Sequence, residues 1–258
     1  MCRMPRIPRM PKDDHVSRAP TEDENKSRLA RLRDRHDPLT SLVLTVPVFL
    51  VYHLGILFID LRSGVDLVSG LTFRLLEQSI GAYVAVTVGG AMALVGAGVF
   101  LRRGDKRFQP RELIPVLVES AVLAVGMLLI VGWATNHIFS GQIGESPMGF
   151  IDKIVMASGA GFHEELVFRV GLFAGGALVL RRFSPLGDLP AVLVAALASS
   201  VVFSAIHYVG SLGDTFTLVS FTFRVIAGLY LAAVYRLRGF AVAVYTHCLY
   251  DLLVFFSI

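Results

Sequence analysis

Gly159-Ala160-Gly161-Phe162-His163-Glu164-Glu165-Leu166-Val167-Phe168-Arg169 sets two adjacent carboxylates and a guanidinium inside an apolar run, Ile154–Leu180, that is otherwise compatible with lipid. A charge near the centre of a bilayer costs roughly 2.5–3.5 kcal/mol on insertion scales, so three within six residues must face a protein interior or a wet cavity. The run is therefore a helix of a membrane bundle with its charges turned inward. Glu165 and Arg169 stand four apart with the acid N-terminal, the favourable order for a pair on one helix face, and a purely structural use of that pair is one reading. Glu164 diverges from Glu165 by about 100° around an α-helix and has no basic neighbour at pairing distance along the chain, which leaves its oxygens for water or substrate. One turn earlier, Ala160 and Gly161 leave room for a neighbouring helix or a water molecule to come close.

The rest of the chain fits this reading. Over 258 residues, 54% are hydrophobic and 17% charged, with mean hydropathy +0.65; soluble domains carry a charged share near ~25%, so the composition implies a polytopic membrane protein. The two cysteines, Cys2 and Cys248, form neither a metal-binding nor a redox spacing. Residues 1–38 are polar, basic and proline-bearing (Pro5, Pro8, Pro11, Pro20), and read as a disordered cytoplasmic arm suited to anionic lipid. No secretory signal is expected, and no nucleic-acid partner.

Seven apolar segments, Leu39–Ile59, Ser79–Leu101, Leu113–Phe139, Ile154–Leu180, Ala191–Val209, Phe216–Tyr235 and Phe240–Ile258, are each long enough to cross ~30 Å of hydrocarbon. The fold class is all-α, a polytopic membrane bundle, with N-terminal helices over 39–150 and a catalytic core over 151–258. Arg102, Arg103, Lys106, Arg107 and Arg111, then Arg181 and Arg182, then Arg236 and Arg238 fall in alternate connections on the side of the basic arm. By the positive-inside rule that side, with the N-terminus, is cytoplasmic. Gly89, Ala93 and Ala97 form a small-residue stripe expected to pack closely on a neighbour. His53 and Glu119 are assigned to hydrogen bonds with neighbouring helices. Arg224 requires a counter-charge, for which Glu119, Glu165 and Asp251 are at the nearest depth.

Two further polar clusters interrupt greasy spans. Ser200, Phe203, Ser204 and His207 share one face of the fifth, and His247 and Asp251 one face of the seventh. Two histidines, two glutamates and an aspartate on three spans define a candidate site. Its chemistry is hydrolytic: a carboxylate and an imidazole on separate helices can share a water and take its proton, while a second imidazole donates to the oxygen that becomes negative.

Glu164-Glu165 with Arg169, Phe203 with His207, and His247 with Asp251, in that order on successive spans, resemble the motifs of the CPBP family of intramembrane proteases. That family includes CAAX prenyl endopeptidases of the Rce type and bacterial proteins grouped as abortive-infection or bacteriocin-immunity proteins. The resemblance covers Ile154 to Ile258. It implies that Glu164 is the general base, that His207 helps hold and polarise the water, that His247 and Asp251 stabilise the oxyanion, and that Glu165 and Arg169 brace the helix. Phe203 supports the site. The implied substrate is a membrane protein or lipidated peptide cut near its C-terminus, and the implied setting a bacterial inner membrane. The family position matching Asp251 is commonly asparagine, and an ionised Asp251 cannot donate a hydrogen bond. No cofactor is expected; zinc is the alternative, since a glutamate and two histidines could bind it, but that would remove the base and the oxyanion donor.

Other protease classes fit less well. His163-Glu164 opens a zinc-protease helix signature, yet the second histidine position is Val167. An aspartyl pairing of Asp251 with Asp214 puts Asp214 in an outer loop and reverses the chain order. Ser158-Gly159 lacks the upstream glycine of a serine enzyme, having Met156 there, and Cys248 cannot form a dyad with its neighbour His247. A non-proteolytic reading, an immunity or binding protein or a carrier with a buried proton path, uses the same charges. Counting at 1.5 Å per residue puts Glu164 and His207 about 25 Å from the cytoplasmic helix ends but His247 and Asp251 only about 12–18 Å from theirs, a mismatch the fold has to remove.

Overall fold

The computed structural model describes residues 38–59, 79–100, 113–138, 149–209 and 213–257; the basic arm and most of the arginine-bearing connection after the second span lie outside them. Among the described residues the chain is all-helical. The helices are α1 (Pro38–Gly55), α2 (Ile80–Phe100), α3 (Leu113–Ile138), α4, α5 (Asp188–Ile206), α6 (Leu218–Arg238) and α7 (Phe240–Ser257). Helix α4 is one continuous rod in three parts, Phe150–Gly159, a π-helical Ala160–Gly175 and Gly176–Phe183, with helical backbone angles at both junctions.

Each helix in the outer layer is apolar on both faces, as lipid demands. In α3 the buried side is Val116, Ser120, Ala124, Met127 and Val131, while Ile114, Val118, Val122, Val125 and Leu129 are exposed. Segments Leu113–Trp133, Asp188–Ile206 and Leu218–Arg238 are long and apolar enough to cross a membrane.

Helix α7 is the centre of the bundle, packing on α1, α3, α4 and α6. Without a hydrophobic drive between helices in lipid, such contacts rely on close approach and interhelical hydrogen bonds. Tyr245 Oη donates to the Leu44 carbonyl at 2.8 Å and Ser120 Oγ to that of Val242 at 3.2 Å. Ser199 Oγ donates to the Phe168 carbonyl at 2.6 Å and Ser204 Oγ to that of Phe221 at 2.8 Å, tying α5 to α4 and α6. The α6–α7 turn rests on Gly239, whose φ of 89° a side chain would rarely adopt.

This arrangement narrows the depth mismatch. Phe173 of α4 stacks on Tyr235 of α6, with ring centroids 6.0 Å apart, and Tyr235 lies one turn before Gly239. Beyond Phe173, α4 runs on to Phe183 beside the start of α5, so it overshoots the α6–α7 turn by about six residues, roughly 9 Å. Counted from that turn, Glu164 lies about 13 residues along α4, roughly 20 Å at 1.5 Å per residue, close to the upper end of the range of His247 and Asp251.

The close approach predicted for Gly89 is not there: a Cβ on Gly89 would meet open space among the described residues, as would one on Gly90. Close contact belongs instead to Gly161, where a Cβ would run into Cys248 Sγ and come within 2.9 Å of the Val244 carbonyl and 3.1 Å of the Cys248 amide nitrogen. Backbone cannot yield as a side chain does, so α4 and α7 would have to part. Gly161→Ala is therefore expected to destabilise the purified protein by ~1–3 kcal/mol, the usual range for overpacking, and to lower its unfolding temperature in detergent. Gly89→Ala should leave that temperature unchanged or raise it slightly; equal behaviour of the two variants would contradict the packing described.

Candidate active site

The π-helical winding of Ala160–Gly175 governs the site. A π-helix bonds each carbonyl to the amide five residues on and is rare outside functional segments. Having more residues per turn than an α-helix, it turns successive side chains apart by less than 100°. Gly159, the last residue before it, directs its carbonyl to the ring of its own helix's His163, whose Nδ1 donates at 3.1 Å. Although Glu164 and Glu165 diverge around the helix, both address one imidazole, at its two different nitrogens.

That imidazole is His247. Its Nδ1 lies 2.9 Å from Glu165 Oε1, and because an ionised carboxylate only accepts, Nδ1 carries the proton of that bond. Its Nε2 faces Glu164 Oε2 at 3.8 Å and Asp251 Oδ2 at 3.7 Å. Both separations exceed a hydrogen bond, so neither carboxylate is bonded directly to Nε2. Glu164, Glu165 and His247 are all buried.

Glu165 also meets Arg169, with Nε 3.1 Å from Oε2 and both side chains wholly buried. The contact is ionic rather than a hydrogen bond, for among the described residues the guanidinium nitrogens have no hydrogen-bond partner. Its flat face lies over the Phe203 ring, 4.9 Å from the centroid, where a weakly hydrated guanidinium is well accommodated. Phe203 further touches Phe168, His207 and His247, at centroid distances of 5.2, 5.1 and 6.2 Å. It is the hub between the arginine and both histidines.

His207 follows one turn beyond Phe203, at the end of α5. Its Nδ1 donates to the Phe203 carbonyl at 2.7 Å, which leaves Nε2 as the nitrogen for other chemistry. No hydrogen bond joins His207 to Glu164 among the described residues, so the structure brings Glu164, Glu165, Arg169, His247 and Asp251 into direct contact and His207 beside them through Phe203. Nor do three His, Cys, Asp or Glu side chains there form a group able to hold a metal ion.

Several partners differ from expectation or were not foreseen. Arg224 pairs with Asp214, not with Glu119, Glu165 or Asp251; Glu119 is taken by Arg238, whose Nη2 donates to Oε2 at 2.7 Å. His53 bonds to neighbouring helices as expected: its Nδ1 lies 2.6 Å from Tyr83 Oη and its Nε2 3.2 Å from His163 Nε2. The Glu165–His247 bond was missed because spacing along a helix shows which residues share a face and nothing about which neighbour that face meets.

Carboxylates held against a buried imidazole among apolar helices are groups that a hydrolase can use. Residues 147–253 match the family described as type II CAAX prenyl endopeptidase, Rce1-like, a match consistent with an intramembrane protease of the CPBP type. The match contains all seven site residues named above. No curated protein and no solved structure matches the chain.

Among the described residues Glu165 is the one site carboxylate with two partners, a cation and a ring N–H. Glu165→Gln leaves Arg169 buried without a counter-charge, so unfolding in detergent should be easier by ~3–5 kcal/mol, the range for breaking a buried pair. Unchanged thermal stability of that variant would show that the pair does not brace α4.

Proposed function

We propose that the chain is an endopeptidase cutting a peptide bond near the C-terminus of a membrane-embedded or lipidated substrate, with Glu164 as general base. The observation that carries this reading is the gap at His247 Nε2, bounded by Glu164 Oε2 at 3.8 Å and Asp251 Oδ2 at 3.7 Å, together with the match to an endopeptidase family. A water in reach of Glu164 gives up a proton to Oε2 as its oxygen attacks the carbonyl carbon, and His207 Nε2 helps to hold that water. Charge moves to the carbonyl oxygen, which His247 Nε2–H meets while Nδ1–H stays committed to Glu165. Protonated Glu164 then passes its proton to the amide nitrogen, the C–N bond breaks, and a carboxylic acid and an amine leave.

Asp251 flanks the same nitrogen, four residues along α7, and is assigned to orient and charge the imidazole rather than to donate. Giving Glu164 and His247 to a metal ion would take away both the base and the oxyanion donor, so the reading is metal-free.

Glu164→Gln keeps size and removes the base. Purified from detergent and tested on a peptide library with and without lipidated cysteine, this variant should fold as the parent does and turn over at least ~10²-fold more slowly, the scale of lost acid–base catalysis. Cleavage that survives the substitution would reject Glu164 as base, and a parent that cuts no peptide would favour the non-proteolytic reading.

A further inference from the structure

Among the described residues three arginines less than a third exposed pair with a carboxylate, and the pairs are not alike. Arg169 and Glu165 are wholly buried, and Arg238 grips both oxygens of Glu119, with the two side chains 29% and 22% exposed. Each of these joins residues on helices and has a structural role available. The third, Arg224 with Asp214, is lopsided: the guanidinium side chain is 19% exposed, but its carboxylate partner is 56% exposed and stands on the connection between α5 and α6.

The two ends of the Arg224 guanidinium are also treated differently. Nη1 is fixed by hydroxyls, donating to Tyr208 Oη at 2.8 Å and Ser220 Oγ at 2.5 Å, and the group lies 5.3 Å from the centre of the Tyr208 ring. Tyr208 is itself wedged by Phe216 at 5.1 Å and Phe221 at 6.3 Å. Nη2 is left for Asp214 alone. A guanidinium held rigidly on one side and offered to an exposed carboxylate on the other is arranged for carboxylate exchange, because a pair with one well-hydrated partner contributes little net stability and is readily replaced.

The pair is contiguous with the site. Tyr208 follows His207 in sequence, and the Asp214 amide donates to the His207 carbonyl at 2.8 Å. An endopeptidase acting close to a chain terminus must sense that terminus, and the mark that sets a terminus apart from any internal segment is its free α-carboxylate. We propose that Arg224 is the seat for the free C-terminal carboxylate of the substrate, and that Asp214 occupies that seat until the substrate displaces it. This rests on the endopeptidase reading for its substrate class, but the seat can be tested by binding alone.

The full chain carrying Glu164→Gln, in neutral detergent, would be titrated with a dansyl-labelled S-farnesylcysteine tetrapeptide ending in a free carboxylate and with the same peptide as its C-terminal amide. The acid should bind about tenfold or more tightly than the amide, the scale of a charge-assisted hydrogen bond. Adding Arg224→Gln should bring the two affinities together, Arg224→Lys should keep part of the preference, and Asp214→Asn should tighten binding of the acid by freeing the guanidinium. Equal affinities in the Arg224 parent, binding of neither peptide, or a preference that persists in Arg224→Gln would overturn the proposal. If Arg224→Gln does not fold, Asp214→Asn decides, and an unchanged affinity for the acid counts against the seat. Selective binding by a chain that, with Glu164 restored, cuts neither peptide would instead leave the seat in place and reject the endopeptidase reading.

Discussion

A carboxylate with two claims on it holds the site together. Glu165 meets the Arg169 cation through one oxygen and the His247 ring through the other, so the charge that would be costly alone is neutralised along α4 while its second lone pairs orient an imidazole on α7. Burying a charge without such a partner costs several kcal/mol. Once Glu165 is placed, Arg169 must lie on Phe203, and His247 must turn its Nε2 toward Glu164 and Asp251. The proposed oxyanion donor is thus oriented by a residue to which no chemical step is assigned.

Close helix contact makes that bond possible. Gly161, one turn before Glu165, lets α4 approach the backbone of α7 at Val244 and Cys248, and the π-helical winding beyond it brings both glutamates to the same neighbour. An α-helix through the same residues would set Glu164 about 100° from Glu165, and the wider winding makes that angle smaller. Functional sites often carry such wide helical turns, which trade regular hydrogen bonding for side-chain placement.

Much of this was legible in the sequence, and the missing parts share a cause. The apolar runs matched the helices to within a few residues, and charge spacing within each span identified the faces carrying Glu165 with Arg169, Phe203 with His207, and His247 with Asp251. What spacing lacks is the relation between helices. Arg224 finds Asp214 in a connection rather than a carboxylate at its own depth; Glu119 finds Arg238 across the bundle. The stripe at Gly89 has the composition of a packing face, yet a Cβ there meets nothing among the described residues, whereas one on Gly161 would meet α7. The depth mismatch has the same origin: a helix end need not mark the membrane surface, and α4 runs past the turn that starts α7. The π-helical segment has no marker in the sequence beyond the glycines at its two ends.

The central claim is that carboxylate and imidazole act directly on water and the peptide bond. The purified full chain, cutting a quenched fluorescent S-farnesylcysteine peptide, would be assayed before and after exhaustive chelation and analysed for bound metal. The account predicts that turnover survives chelation and that no stoichiometric zinc is present, since the ligands zinc would need are engaged as base and oxyanion donor. Turnover lost on chelation and restored by zinc alone would contradict it.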